Sequence, residues 1–308
     1  MEQINALNFA PFPRKGVLAA RKTRISLEKM RDRTGASHVI FTPAGVQETA
    51  HSEHIDFTGP GSADDEELVA IIHYAQTLGL KVILKPTVNC QDRTWRAFIN
   101  FFDYESPPEP KWRNWFASHE RFQVHYAALA EQTHCVMFIA GCEMVMAQRR
   151  DAEWRALIAN VKQVYSGPVS YNTDKYQESE VSWWDCVDVI SSSGYYPSAS
   201  WEQELDRIEA VVQRFNKPFF FAEIGTMSTR GSHSIPNDWA HQGVADAQDQ
   251  ADWYREMFEH TRRRPWVEGY GLWAWSADLY DADQARDNGG YDLYAKPAEQ
   301  TVRDFFLT

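Results

Sequence analysis

Eight short runs of β-prone, apolar residues recur along the chain, separated by stretches with helical periodicity, and this alternation constrains the fold most. The runs lie at 4–10 (INALNFA), 38–44 (HVIFTPA), 81–88 (KVILKPTV), 136–142 (VMFIAGC), 168–173 (PVSYNT), 187–195 (VDVISSSGY), 218–223 (PFFFAE) and 270–276 (YGLWAWS). Several are apolar at successive positions, as expected of parallel strands buried on both faces. Amphipathic stretches at 64–80, 111–132, 152–165, 201–215 and about 245–263 fall between them. The acidic start of the first (DDEEL) suits the positive end of a helix dipole, and Gly79 suits its end. Strands alternating with helices eight times over predict a single-domain (β/α)8 barrel spanning 1–308, a fold that needs roughly 250 residues. An open doubly wound sheet would carry a glycine-rich first turn, which LNFAPFPRKG does not supply.

Two of these runs end in the same way. The fourth leads into Glu143 (FIAGCE) and the seventh into Glu223 (FFFAE). In a barrel the C-terminal ends of the strands ring one cavity, so the two carboxylates should face each other. Such a pair is what glycoside hydrolysis needs: one group gives and takes a proton, and the other attacks or activates water. Twelve Trp residues fit the same reading, since flat rings stack on sugars, although about half of them should simply fill the core. Trp273 and Trp275 lie two apart on the last strand and should therefore share a face; if that face is inward, one of them floors the sugar site.

Other classes find less support. The net charge of −12 argues against a nucleic acid or an anionic membrane as partner. No apolar run reaches the roughly 18 residues of a transmembrane helix. The opening MEQINALNFAPF reads as strand rather than as a signal peptide, so a cytoplasmic location and short imported oligosaccharides are expected. Cys90, Cys135, Cys142 and Cys186 form no CxxC pair and read as free thiols. A metal-dependent barrel would want His-x-His on its first strand, a serine hydrolase G-x-S-x-G, and a phosphate binder a glycine-rich loop; all three are missing. Neither metal nor cofactor is expected. A barrel that binds oligosaccharide without cleaving it remains open, as does a transglycosylase or a hydrolase of another β-linked sugar.

Almost the whole chain resembles glycoside hydrolase family 113, a group of (β/α)8 β-mannanases within a large clan of retaining glycosidases. KVILKPTV followed by TWRAFI, then FIAGCEM, VSWWDCVDVISSSGYYP, FAEIGTMSTRG, GLWAWS and KPAEQTVRDFF carry the resemblance in order. It implies retaining cleavage of β-1,4-mannosidic bonds in mannan or manno-oligosaccharides, with Glu143 as acid/base and Glu223 as nucleophile. Tyr195 would orient the nucleophile. Trp95 and Arg96 match the family's Trp-Arg pair near the sugar-binding rim, and Asn89 is placed to bond a sugar hydroxyl. Lys85, four residues earlier, reads equally as a buried cation paired with an acid. Most of the clan has Asn before the acid/base to read the sugar 2-hydroxyl; Cys142 stands there, a weak donor. Two further departures are the small, polar SSSGY of strand six and a loop after Glu-Ile-Gly with no immediate aromatic. The oligomeric state is not legible.

Overall fold

The structure, a computed structural model, describes residues 2–308. The eight barrel strands are β1 (Ile4–Phe9), β2 (His38–Phe41), β4 (Lys81–Leu84), β6 (Met137–Cys142), β7 (Val169–Thr173), β8 (Val189–Ser193), β9 (Phe219–Ile224) and β10 (Val267–Trp275). They close in the order β1-β10-β9-β8-β7-β6-β4-β2, with parallel pairing throughout. The chain is thus a single-domain (β/α)8 barrel. The second and third expected strands are shorter than the sequence suggested. Pro43 and Pro86 lack the N–H that would continue a ladder, so β2 and β4 stop just before them. Beyond the prolines the chains pair again as β3 (Ala44–Gln47) and β5 (Thr87–Cys90), a small parallel sheet outside the barrel ladder.

Around the barrel lie α1 (Arg21–Thr34), α2 (Asp65–Thr77), α3 (Trp112–Gln132), α4 (Asp151–Val164), α5 (Trp201–Phe215), α6 (Ala247–Thr261) and α7 (Pro297–Phe306). α1 and α7 went unread in the sequence. The buried face of α1 is Thr23, Ser26, Leu27, Met30 and Thr34, too polar to show an apolar stripe. The fifth connection departs from the repeat: between β7 and β8 two 3-10 turns, Glu178–Glu180 and Trp184–Cys186, replace a helix. Trp183 and Trp184 fill the gap, both fully buried, with Trp183 stacked on Trp154 of α4 at 4.8 Å. Burying such rings recovers apolar area that a helix would have covered. The polar strand six has its reason here too. Ser192 Oγ donates outward to Glu178 Oε1, which also accepts from Tyr196, while Arg207 of α5 pairs with the other oxygen.

The barrel interior is apolar at one end and polar at the other. Ile4, Ala6, Ile40, Ile83, Met137, Ile139, Val189, Phe220 and Ala222 plug the lower end. Above them Asn8 Nδ2 donates to the carbonyls of Ala222 (3.0 Å) and Gly271 (2.9 Å), tying β1 to the two strands that carry the far wall of the site. The capping box of α2 has a second task. Glu67 accepts from Asp64 N and also from the backbone of Gly16 and Leu18, which fixes the loop after β1. Among the described residues no helix is long and apolar enough to cross a membrane.

Candidate active site

At the C-terminal end of the barrel, three strands break their alternation, and the breaks decide which side chains meet there. On β9, Phe219 and Phe221 face the helices while Phe220 and Ala222 face the barrel axis. Strict alternation would turn Glu223 outward. Instead Ser192 pairs with Phe221 and the next residue, Ser193, with Glu223, so Ala222 is an extra residue and Glu223 turns inward. On β6 the register slips between Ile139 and Cys142. Gly141 sits at φ +104° and Glu143 at φ +52°, and both Cys142 and Glu143 come to face inward. A Cβ on Gly141 would come 2.9 Å from the Trp154 ring, so glycine is needed for space as well as for backbone conformation. On β10 the register slips between Leu272 and Trp275, against Leu7 and Phe9 of β1. Bulges of this kind gather at barrel rims because they re-aim side chains.

The two glutamates are buried and each is held by a cation. Glu223 Oε1 pairs with Lys85 Nζ (2.5 Å) and accepts from Cys142 Sγ (3.2 Å), and Oε2 accepts from the Tyr195 hydroxyl (3.2 Å). Glu143 Oε2 accepts from Arg96 Nη1 (3.0 Å) and the Trp95 indole N–H (3.2 Å), and Oε1 from Ser193 Oγ (2.8 Å). Arg96 is itself fixed by the Val88 carbonyl and Asn89 Oδ1. Burial by itself would raise the Glu223 carboxyl. The charges of Lys85 and Arg96 outweigh it, with the bonds from Lys85 and Cys142, and hold the group below the ordinary carboxylate value. Burial, and then the negative charge of Glu223, pushes the Tyr195 phenol far above its usual range, so it stays a proton donor to that carboxylate.

One oxygen of Glu143, one of Glu223 and the Cys142 sulfur lie within 4.8 Å of one another. Three such donors are close enough to clasp a metal ion, but their oxygens already receive bonds from Lys85, Arg96, Tyr195, Ser193 and Trp95. Two cations balance two carboxylates, so the arrangement suits an uncharged substrate better than a cation. Above the pair opens a cavity of about 610 Å³. Trp273, Phe12, Trp239 and Trp95 give it aromatic walls, and Asn89, Asn237, Asp174 and Lys175 give it polar ones. Aromatic faces with a few convergent polar groups are the composition of a sugar cleft.

A family model described as Glycoside Hydrolase Family 113 matches residues 7–296. The chain belongs to glycoside hydrolase family 113. Solved structures agree with that membership. A GH113 β-1,4-mannanase is 50% identical over the full length of both chains, with a TM-score of 0.99. The GH113 β-mannanase AaManA from Alicyclobacillus acidocaldarius, in complex with ManMIm, is 37% identical over 100% of this chain and 98% of that one, with a TM-score of 0.96. A β-glucuronidase from Ruminococcus gnavus is 15% identical, spans twice the length (99% of this chain, 50% of that one) and, at a TM-score of 0.65, shares the fold alone. No curated protein matches the sequence.

Within this family 113 glycoside hydrolase, most of the residues singled out from sequence come together. Glu143, Glu223, Tyr195, Trp95, Arg96, Asn89 and Trp273 all line the one cavity. Lys85 is the buried cation beneath Glu223, wholly shielded from solvent. Two expectations fail. Trp275 does not share the face of Trp273: the bulge on β10 turns it outward, where it is fully buried, donates to Ser26 Oγ of α1 and packs on Tyr294. Cys142 does not line the cavity either. It is fully buried below the carboxylates, with its thiol spent on Glu223. The sequence reading passed over Phe12, Asp174, Lys175, Asn237 and Trp239. Trp239 supplies the aromatic missing directly after Glu-Ile-Gly, from further along the same loop. It leans on Tyr291 at 4.3 Å and on Trp273 at 6.0 Å. Its loop is tied down by Tyr291, whose hydroxyl donates to the Pro236 carbonyl, and by Asp249, which accepts from Gly231 N and His233 N. No local signal marks such residues, because loops carry no periodicity. Gly225, directly after β9, was legible only as a turn. A Cβ there would lie 2.5 Å from the Trp273 carbonyl, so it lets β10 close against the strand that bears Glu223.

Proposed function

We propose that this enzyme hydrolyses β-1,4-mannosidic bonds in mannan or manno-oligosaccharides by double displacement, with Glu223 as nucleophile and Glu143 as acid/base. The observation that carries the reading is the carboxylate pair, with oxygens within 4.8 Å of each other. That approach fits a retaining site, where the groups stand about 5–5.5 Å apart, and leaves no room for the water of an inverting one. The substrate rests on the GH113 relatives, which are β-1,4-mannanases.

The environments suit the two roles. Glu223, kept ionised by Lys85, attacks the anomeric carbon. As the bond to the departing sugar breaks, Glu143 gives its proton to the glycosidic oxygen. The result is a glycosyl ester on Glu223 of inverted configuration. Glu143, now a carboxylate, takes a proton from water, the hydroxide equivalent attacks the same carbon, and the ester breaks with net retention. Tyr195 holds the unreacted oxygen of Glu223. Trp273, with Lys85 Nζ 5.5 Å from its ring, floors the reacting sugar. Since Cys142 is spent below, Asn89, whose oxygen is taken by Arg96, has its amide N–H groups to offer a sugar hydroxyl.

Azide rescue tests the assignment. Glu143→Ala should form the glycosyl-enzyme from an aryl mannoside with a good leaving group and then stall. Azide, which needs no base, should restore turnover and give the β-glycosyl azide. Glu223→Ala should give only the α-azide, by direct attack into the vacated space. Products the other way round would exchange the two roles.

A further inference from the structure

Lys296 is unexplained by the reaction as described. It stands between β10 and α7, just before Pro297, with only 3% of its surface exposed. A buried ammonium ordinarily has a carboxylate beside it. Here the bonds of Nζ go to neutral oxygens: Ser228 Oγ (2.7 Å), the Gly290 carbonyl (3.0 Å) and Asn288 Oδ1 (3.1 Å). Ser228 belongs to the loop after β9, and Asn288 and Gly290 to the loop after β10. The ammonium therefore sits where the two loops meet and bonds oxygens from both. Ser228 and Thr229 complete the joint. The Ser228 hydroxyl donates to the Asn288 carbonyl (2.6 Å), its backbone N–H to that of Gly290 (3.1 Å), and Thr229 Oγ1 to that of Gly289 (2.9 Å). Both loops run from this joint to the cavity. Tyr291, next to Gly290, packs on Tyr195 (6.1 Å) and donates to the Pro236 carbonyl. On the other loop Trp239 leans on Tyr291 and, though 57% exposed, forms a wall of the cavity. A ring so exposed has few contacts of its own and depends on what stands behind it.

We propose that Lys296 is a positioning residue for substrate binding: by bonding to both loops it fixes Tyr291, and through it the Trp239 wall, beside the Trp273 floor. The inference rests on the reading of this cavity as the mannoside site. Glu223 and Glu143 are held by Lys85 and Arg96, on the segments after β4 and β5, so the reacting groups do not depend on this joint. Losing it should weaken the binding of ground state and transition state alike, which appears in KM rather than in kcat. An ammonium has three N–H donors to share among the loop oxygens, whereas a methionine side chain of similar length has none.

The test is a double-mutant cycle with Trp239, read as KM and kcat on a manno-oligosaccharide. Burial lowers the Lys296 ammonium to about 7, with the charge of Asp292 opposing, so measurement at about pH 6 keeps it charged. Lys296→Met should raise KM about tenfold with kcat within about twofold, and Trp239→Ala should raise KM by a similar factor. Added to Trp239→Ala, Lys296→Met should raise KM by less than about twofold more, because the wall it positions is already gone. Losses in KM that multiply would overturn the proposal. So would a fall in kcat with KM unchanged, or a lower melting temperature with both constants kept, since each leaves Lys296 without a part in binding. Should Lys296→Met fail to fold, as judged by its thermal melt, Asn288→Ala decides. It removes one acceptor of the ammonium and should raise KM about threefold, again with little further effect in Trp239→Ala. A wild type that cleaved no mannoside would overturn the reading of the cavity and this inference with it, whereas wild-type cleavage with multiplying losses would overturn this inference alone.

Discussion

Glu143 and Glu223 are almost equally buried, with 6% and 3% of their surface exposed, but they are held from different parts of the molecule. Glu223 is gripped from below. Lys85 follows β4, Cys142 ends β6, and both are fully shielded from solvent. Glu143 is gripped from the side by Trp95 and Arg96, on the loop after β5, and Trp95 is 39% exposed. The barrel wall therefore holds the group that needs one protonation state throughout. A loop bordering the cavity holds the group that must change state twice per turnover. A rigid, dry ion pair suits the first task, and partners near water suit the second.

Exchanging the cations is the strongest way to break this comparison. Lys85→Met leaves Glu223 buried without its main counter-charge. Burial then raises the carboxyl, so the acidic limb of kcat/KM should move to higher pH, with a loss of about 10²- to 10³-fold in kcat. Arg96→Met removes the guanidinium that bonds Glu143 Oε2 and should lose about 10- to 10²-fold in kcat/KM. An acidic limb that stays in place in Lys85→Met would remove Glu223 as the ionised nucleophile.

The neutral donors sharpen the comparison at smaller cost. Tyr195→Phe and Ser193→Ala each remove one hydrogen bond to a carboxylate, worth about 1.5–3 kcal/mol, or roughly 10- to 100-fold. Tyr195→Phe should slow attack on aryl mannosides and natural substrates alike. Ser193→Ala should affect chiefly substrates with poor leaving groups. Equal losses on both substrates for both variants would show that the two sides are not independent. The smallest effects on activity separate the two tryptophans of β10. Trp273→Ala should cost roughly 1–3 kcal/mol of transition-state binding, with the melting temperature little changed. Trp275→Ala should cost about 3–5 kcal/mol of stability while the folded fraction keeps its kcat. Loss of kcat in folded Trp275→Ala would put that ring back in the site.

The barrel was legible in the sequence because burial on both faces writes itself into each strand. The order of the runs brought Glu143 and Glu223 to one rim without any knowledge of contacts, and the family resemblance added Tyr195 and Arg96. Three things lay beyond it. The fifth helix is replaced by a turn, since Trp183 and Trp184 find a surface only once α4 and β7 are in place. α1 is helical although its buried face is largely polar, because Ser26 meets the Ser276 carbonyl and the Trp275 indole from the far end of the chain. Most consequential are the bulges on β6, β9 and β10. Alternation belongs to a single strand and can be read locally, whereas a bulge is a mismatch between two strands that meet only in the folded barrel. Residue identity determined by itself that two carboxylates and two indoles would sit at the strand ends; the pairing of neighbouring strands decided that both carboxylates, and just one of the indoles, turn toward the cavity.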